Sequence, residues 1–209
     1  MSYLPIFLTV ALAHLLAVIS PGPDFIMITR NSLIYSRRTG IYSAIGLGLG
    51  ILVHVTYSLV GIGFVIANSI VLFSIIKFIG AGYLIYIGYK SLTSKASKMN
   101  LSGENQRKDI SKLAAIRIGF ITNVTNPKAT LFFLSLFTLV ITPSTPLFIK
   151  ILMGAEMSIV TSAWFVLVAY LTSHHLVKSR ISGIQHFAEK FIGVVLIALG
   201  IKVAFFTSK

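Results

Sequence analysis

Ser20-Pro21-Gly22-Pro23-Asp24-Phe25 interrupts an apolar run, residues 4–29, that is otherwise long enough to cross a bilayer. Proline removes a backbone donor and clashes with the preceding turn, so a helix passing through this stretch must break. Broken helices at membrane depth are tolerated only where the freed backbone is buried in protein or lines a wet cavity. A second interruption, Asn123-Val124-Thr125-Asn126-Pro127-Lys128, lies in another apolar stretch about a hundred residues later. Corresponding interruptions in two halves of a chain point to a transporter's binding site.

The surroundings of these breaks are those of a membrane protein. Of 209 residues 56% are hydrophobic and 11% charged, and the mean hydropathy is +0.90. In a soluble protein a net charge of +13 would suggest nucleic acid. Here the charges fall in short stretches between apolar runs, so orientation in the membrane accounts for them and nucleic acid is not expected as a partner. The absence of cysteine excludes disulfides, thiolate metal sites, thiol redox relays and iron–sulfur clusters. The N-terminal run lacks the basic start of a signal peptide and continues past any cleavage point, so it reads as a retained first span.

At roughly 20 apolar residues per crossing, six spans are expected, at about 4–30, 41–67, 70–92, 113–141, 146–173 and 184–206. Residues 93–112 are polar and without apolar periodicity, which predicts a loop between two halves, 1–92 and 113–209. The loops after the first, third and fifth spans carry thirteen of the 18 basic residues, from Arg30, Arg37 and Arg38 to Lys178, Arg180 and Lys190. The positive-inside rule then puts the 93–112 linker in the cytoplasm and both termini outside. Lys77-Phe78-Ile79-Gly80 recurs as Lys190-Phe191-Ile192-Gly193, and Gly88 with Lys90 recurs, with one gap, as Gly200 with Lys202. The fold class is therefore an all-α integral membrane protein: six transmembrane helices as two inverted three-helix repeats, the first and fourth helices broken at their proline motifs.

Chemistry concentrates at the breaks. A carboxylate near mid-bilayer costs about 3 kcal/mol on insertion scales, so Asp24 is expected to face a cavity or partner; the plainer alternative is a helix cap. Lys128 holds the mirror position after Pro127, where its ammonium would meet a substrate carboxylate or Asp24, or else snorkel to the interface. Asn123 and Asn126 offer amide donors and acceptors, and Thr122 and Thr125 offer hydroxyls. The substrate-binding set is thus Ser20, Pro21, Gly22, Pro23, Asp24, Asn123, Asn126, Pro127 and Lys128. Asp24 and Glu156, the latter well inside the fifth span, are the candidates to carry a coupling ion, with a neutral packing role as the alternative for Glu156.

Other residues read as structure. His14 and His54 have no companion at metal-site or haem spacing and read as core histidines. Gly46, Gly48, Gly50, Gly61 and Gly63 flatten the second span for close helix approach. No GxxxxGK[ST] pattern is present, so transport would draw on an ion gradient or the substrate's own gradient, not ATP. No cofactor or metal is expected. A passive channel, a non-transporting membrane partner and a redox protein are the competing classes, the last weakened by the missing cysteines.

These motifs carry a resemblance. Phe7-Leu8-Thr9-Val10-Ala11, Ser20–Phe25, and Thr122-Asn123 with Asn126-Pro127-Lys128-Ala129 resemble, over essentially the full length, the LysE/RhtB family of bacterial amino-acid exporters, and most closely its threonine-efflux branch. The resemblance implies a non-enzymatic cytoplasmic-membrane exporter of neutral or hydroxylated amino acids coupled to protons. Its partners would be an amino-acid substrate, protons and the lipid bilayer, with self-association left open. The first half follows the threonine-efflux pattern more closely than the fifth span and the linker do.

Overall fold

The computed structural model describes residues 3–20, 22–68, 70–93, 108–140, 145–172 and, towards the C-terminus, 190–191, 193–198, 200–201 and 204–205. Seven helices follow in order: α1 (Leu4–Ile19), α2 (Pro23–Ile34), α3 (Arg37–Asn68), α4 (Ile70–Thr93), α5 (Lys112–Val124), α6 (Pro127–Val140) and α7 (Leu147–Thr172). The described residues from 190 onward are helical too. Most of the 93–112 linker, Pro21, and the basic residues Lys178 and Arg180 lie outside the described residues.

Arg37–Gly61 of α3 and Leu147–Thr172 of α7 are each long and apolar enough to cross a membrane. Helices α1 and α2 meet the same test together, bent by 53° at their break, which makes a third crossing if the bent pair is one span. The outer surface is apolar as a lipid-facing surface must be: Ile159 is 66% exposed and Phe148 71%.

Proline sets the helix ends. Ser20, which precedes Pro21, is extended at φ −60° and ψ 124°, the conformation that a following proline enforces. Pro23 and Pro127 open α2 and α6 at the first helical position, where a missing N–H costs nothing. Ser111 caps α5, its hydroxyl oxygen accepting from the Ala114 N–H at 3.2 Å. Just ahead of that cap, Asp109 accepts hydrogen bonds from the hydroxyls of Thr39 and Ser36, which hold its carboxyl below the usual carboxylate range.

Close contacts give the helix directions. Helix α3 runs alongside α5: a Cβ at Gly46 would overlap the Ile116 carbonyl, and one at Gly50 would come within 2.7 Å of the Asn123 side chain. Helix α2 packs antiparallel to α3, with Asn31 donating to the Ser43 hydroxyl at 3.2 Å and Ser32 lying against Gly40. The broken pair α1–α2 therefore runs opposite to the broken pair α5–α6. Helix α7 runs antiparallel to α3, Gly154 lying against Val55 and Gly48 against Ser158 and Ser162. At the Arg37 end its Tyr170 ring lies 4.4 Å beneath the Arg37 guanidinium.

Two apolar clusters form the core. One gathers Val10, Ala13, Ile51, Phe132, Phe133, Met153 and Met157 from α1, α3, α6 and α7, with Ala81 and Leu84 of α4. The other gathers Phe25, Ile28, Leu47, Phe165 and Val168 from α2, α3 and α7. Between them lie the two breaks.

Candidate substrate site

A proline in a helix leaves the carbonyl four residues earlier without its donor. For Pro127 that carbonyl belongs to Asn123; for Pro21 it belongs to Ala17. Both are supplied from elsewhere. The Asn123 oxygen accepts from the Asn126 N–H at 2.9 Å and from His54 Nε2 at 2.9 Å. At the other break, Lys128 Nζ donates to the Ser20 oxygen at 2.9 Å and lies 3.5 Å from the Ala17 oxygen. A cation at the C-terminal end of α1 also meets the negative end of the helix dipole. Each break is thus sealed by a side chain from the opposite half of the chain, and Lys128, which is half-buried, does not snorkel.

Asp24 completes the joint. Helix α2 has Gly22 at its N-cap and no side-chain cap, so Asp24 does not serve as one. Its Oδ2 accepts from Asn123 Nδ2 at 2.8 Å and its Oδ1 from Asn126 Nδ2 at 3.1 Å. A carboxylate only accepts, so both amide nitrogens must face it. Asn126 then turns its Oδ1 to the Lys128 N–H at 3.0 Å, capping α6. Asn123 Oδ1 is buried with no hydrogen-bond partner.

A cavity of about 50 Å3 opens on this joint. Its polar wall holds Ser20, Gly22, Asp24, Asn123, Asn126 and Lys128; its apolar wall includes Ile51, Phe132, Phe133 and Phe165, with His14 and Thr161 among them. By that measure the space takes about four waters, so a whole amino acid enters only if the walls move apart.

Of the residues singled out in the sequence, six described ones line this cavity. Pro23 and Pro127 shape the helix starts beside it, and Pro21 lies outside the described residues. Glu156 is elsewhere: it sits half-buried on α7, away from the cavity lining, with its Oε2 buried and unpartnered. Thr125 is exposed and spends its hydroxyl on the Ile121 carbonyl at 2.7 Å.

The residue that sequence reasoning undervalued is His54. Because Nε2 faces a carbonyl it carries the proton, so in the neutral ring Nδ1 accepts from the Tyr57 hydroxyl 2.6 Å away. The ring stacks on Phe133 at 5.4 Å and 11°. His54 lies one turn beyond Gly50 on the face of α3 that meets α5, and that spacing is the signal available in the sequence.

The sequence profile of the LysE type translocator family matches residues 15–206. The threonine efflux protein of Escherichia coli K12 is 28% identical over 199 residues, covering 95% of this chain and 97% of that protein. The membrane protein YrhP of Bacillus subtilis is 28% identical over 200 residues, covering 88% of this chain and 91% of its own length. No solved structure matches. With its break motifs inside the matched region and its apolar helices around them, the chain belongs to the LysE type translocator family and is a membrane transporter, not an enzyme.

Proposed function

We propose that the protein exports small neutral amino acids, threonine- and homoserine-like ones among them, from the bacterial cytoplasm in exchange for protons. The observation that carries this reading is the joint itself: one carboxylate, one ammonium and two amides against a single cavity where two broken helices meet. A zwitterion in a low-dielectric site needs both charges matched. Lys128 is the group for its carboxylate, and Asp24 with the freed carbonyls of α1 is the group for its ammonium. The name of the Escherichia coli relative, a threonine efflux protein, supports the substrate class.

Asp24 also offers a route from proton to movement. Protonating it would set an O–H where an asparagine N–H already points, so one of its two contacts would have to open. Glu156 is the second acid within the spanning helices, and its unpartnered Oε2 suits a proton carrier set apart from the substrate.

The architecture in this reading is six spans as two inverted repeats, 1–92 and 113–209, joined by a cytoplasmic linker, with both termini outside. Two features support it. The broken pairs run in opposite directions, and Gly88 meets Gly193 closely while Gly200 meets Ala81. Those two approaches exchange places when Gly80 is matched with Gly193 and Gly88 with Gly200. The repeats would rock about the joint to expose it to each side in turn.

Proteoliposomes loaded with labelled threonine test the proposal. Efflux is expected to quicken when unlabelled threonine is present outside and when the outside is acid, and an uncoupler should remove the second effect. Flux without stimulation by outside substrate would identify a passive channel. Indifference to the pH gradient would remove proton exchange.

A further inference from the structure

His14 is wholly buried, yet only one of its ring nitrogens is engaged. Nε2 lies 3.2 Å from the Thr161 hydroxyl oxygen, while Nδ1 is buried without a hydrogen-bond partner. The ring is held between Phe132 and Phe133, centroids 6.4 and 5.9 Å away, and belongs to the same cavity wall as Ile51 and Phe165. Packing alone does not account for it, because a buried nitrogen left unpaired in apolar surroundings is costly. Leucine or phenylalanine would fill that wall without the cost.

We infer that His14, steadied by Thr161, is a specificity-determining residue: its Nδ1 takes a hydrogen bond from or to the side-chain hydroxyl of the transported amino acid. The inference rests on the export reading of the cavity.

Three observations carry it. The first is distance. His14 precedes Ser20, whose carbonyl holds Lys128, by six residues on α1, about 9 Å along the helix. Two hydrogen bonds of about 2.8 Å each leave a few ångströms between them, the length of a small amino acid from carboxylate to hydroxyl. The second is tautomer. If Thr161 donates to Nε2, Nδ1 carries the proton and donates; if Nε2 donates to Thr161, Nδ1 accepts. A hydroxyl answers either state, whereas an ammonium or carboxylate answers only one. The third is surroundings. Thr161 and His14 are the polar groups set among the aromatic and aliphatic lining there, so the pocket tolerates one small polar atom and no charge.

Threonine and valine, nearly equal in size, form the test pair, exchanged by wild type, His14→Phe and Thr161→Val in proteoliposomes. Wild type is expected to prefer threonine roughly tenfold or more, as sites built around a hydrogen bond do. His14→Phe should bring the ratio close to one, and Thr161→Val should lower it less. The inference is overturned if wild type moves both alike, or if either variant, eluting as a single folded species, keeps the wild-type ratio. Should His14→Phe fail to fold, the wild-type and Thr161→Val ratios still decide; a trapped water at Nδ1 predicts that Thr161→Val leaves the preference unchanged. Wild type that exchanges no amino acid at all would instead strike down the export reading.

Discussion

At the scale of single residues, the joint depends on Asp24 being an acceptor on both sides. In Asp24→Asn one oxygen becomes an NH2 group, which must then face the NH2 of Asn123 or Asn126. Losing one hydrogen bond to a charged group at a buried position costs about 1.5–3 kcal/mol. Export should therefore fall roughly 10- to 100-fold, with membrane insertion unchanged. Lys128→Ala should likewise stop export, because it strips the donor from the Ser20 carbonyl. Efflux normalised to the amount of protein in the membrane checks both, and normal efflux would remove these residues from the mechanism. Asp24 and Lys128 stood out in the sequence because charge is rare in apolar runs. His54 did not, since its partner is a backbone carbonyl far along the chain, and a carbonyl looks the same at every position. The proline revealed that Asn123 would lose its donor but not which side chain would supply another.

At the scale of helices, α3 is the element the others are fitted to, and its glycines divide by what they face. A Cβ at Gly46 would overlap the Ile116 carbonyl and come within 2.8 Å of the Phe120 nitrogen, whereas at Gly61 it would enter open space. Gly46→Ala forces α5, and with it Asn123, outward; overpacking of this kind costs about 1–3 kcal/mol. Gly61→Ala removes helix-interior glycine with nothing to strike, and is neutral or stabilising by up to about 1 kcal/mol. Thermal unfolding of the two variants in detergent should move in opposite directions or leave only Gly46→Ala shifted, and a Gly46→Ala protein that melts with wild type would deny the close approach of α3 to α5. Composition showed a helix rich in glycine but not which glycine meets a backbone. That depends on the rotation of α3 against α5 and α7, which long-range packing sets. The helix breaks were legible for the opposite reason: proline's missing donor acts locally, whatever surrounds it.

At the scale of the whole molecule, the direction of transport depends on which end of the bundle faces the cytoplasm. Arg37, Arg38 and Lys112 gather at one end, where the Arg38 guanidinium and the Lys112 ammonium both approach the Tyr42 ring and Arg37 covers Tyr170. Lys108 and Asp109 lie beside the same end, Asp109 being tied to Ser36 and Thr39. The start of α7 is at the other end, since α7 runs antiparallel to α3, and there Leu147 is exposed. A bilayer orients such a bundle by keeping its basic end inside. Because the chain has no cysteine, one introduced thiol reports its own side without background. In intact cells a membrane-impermeant maleimide should label Leu147→Cys and spare Lys108→Cys, which should react only once the membrane is opened. The reverse pattern would turn the bundle over. The joint's two approaches would then exchange sides, and the asymmetry of basic charge would need a cause other than membrane insertion.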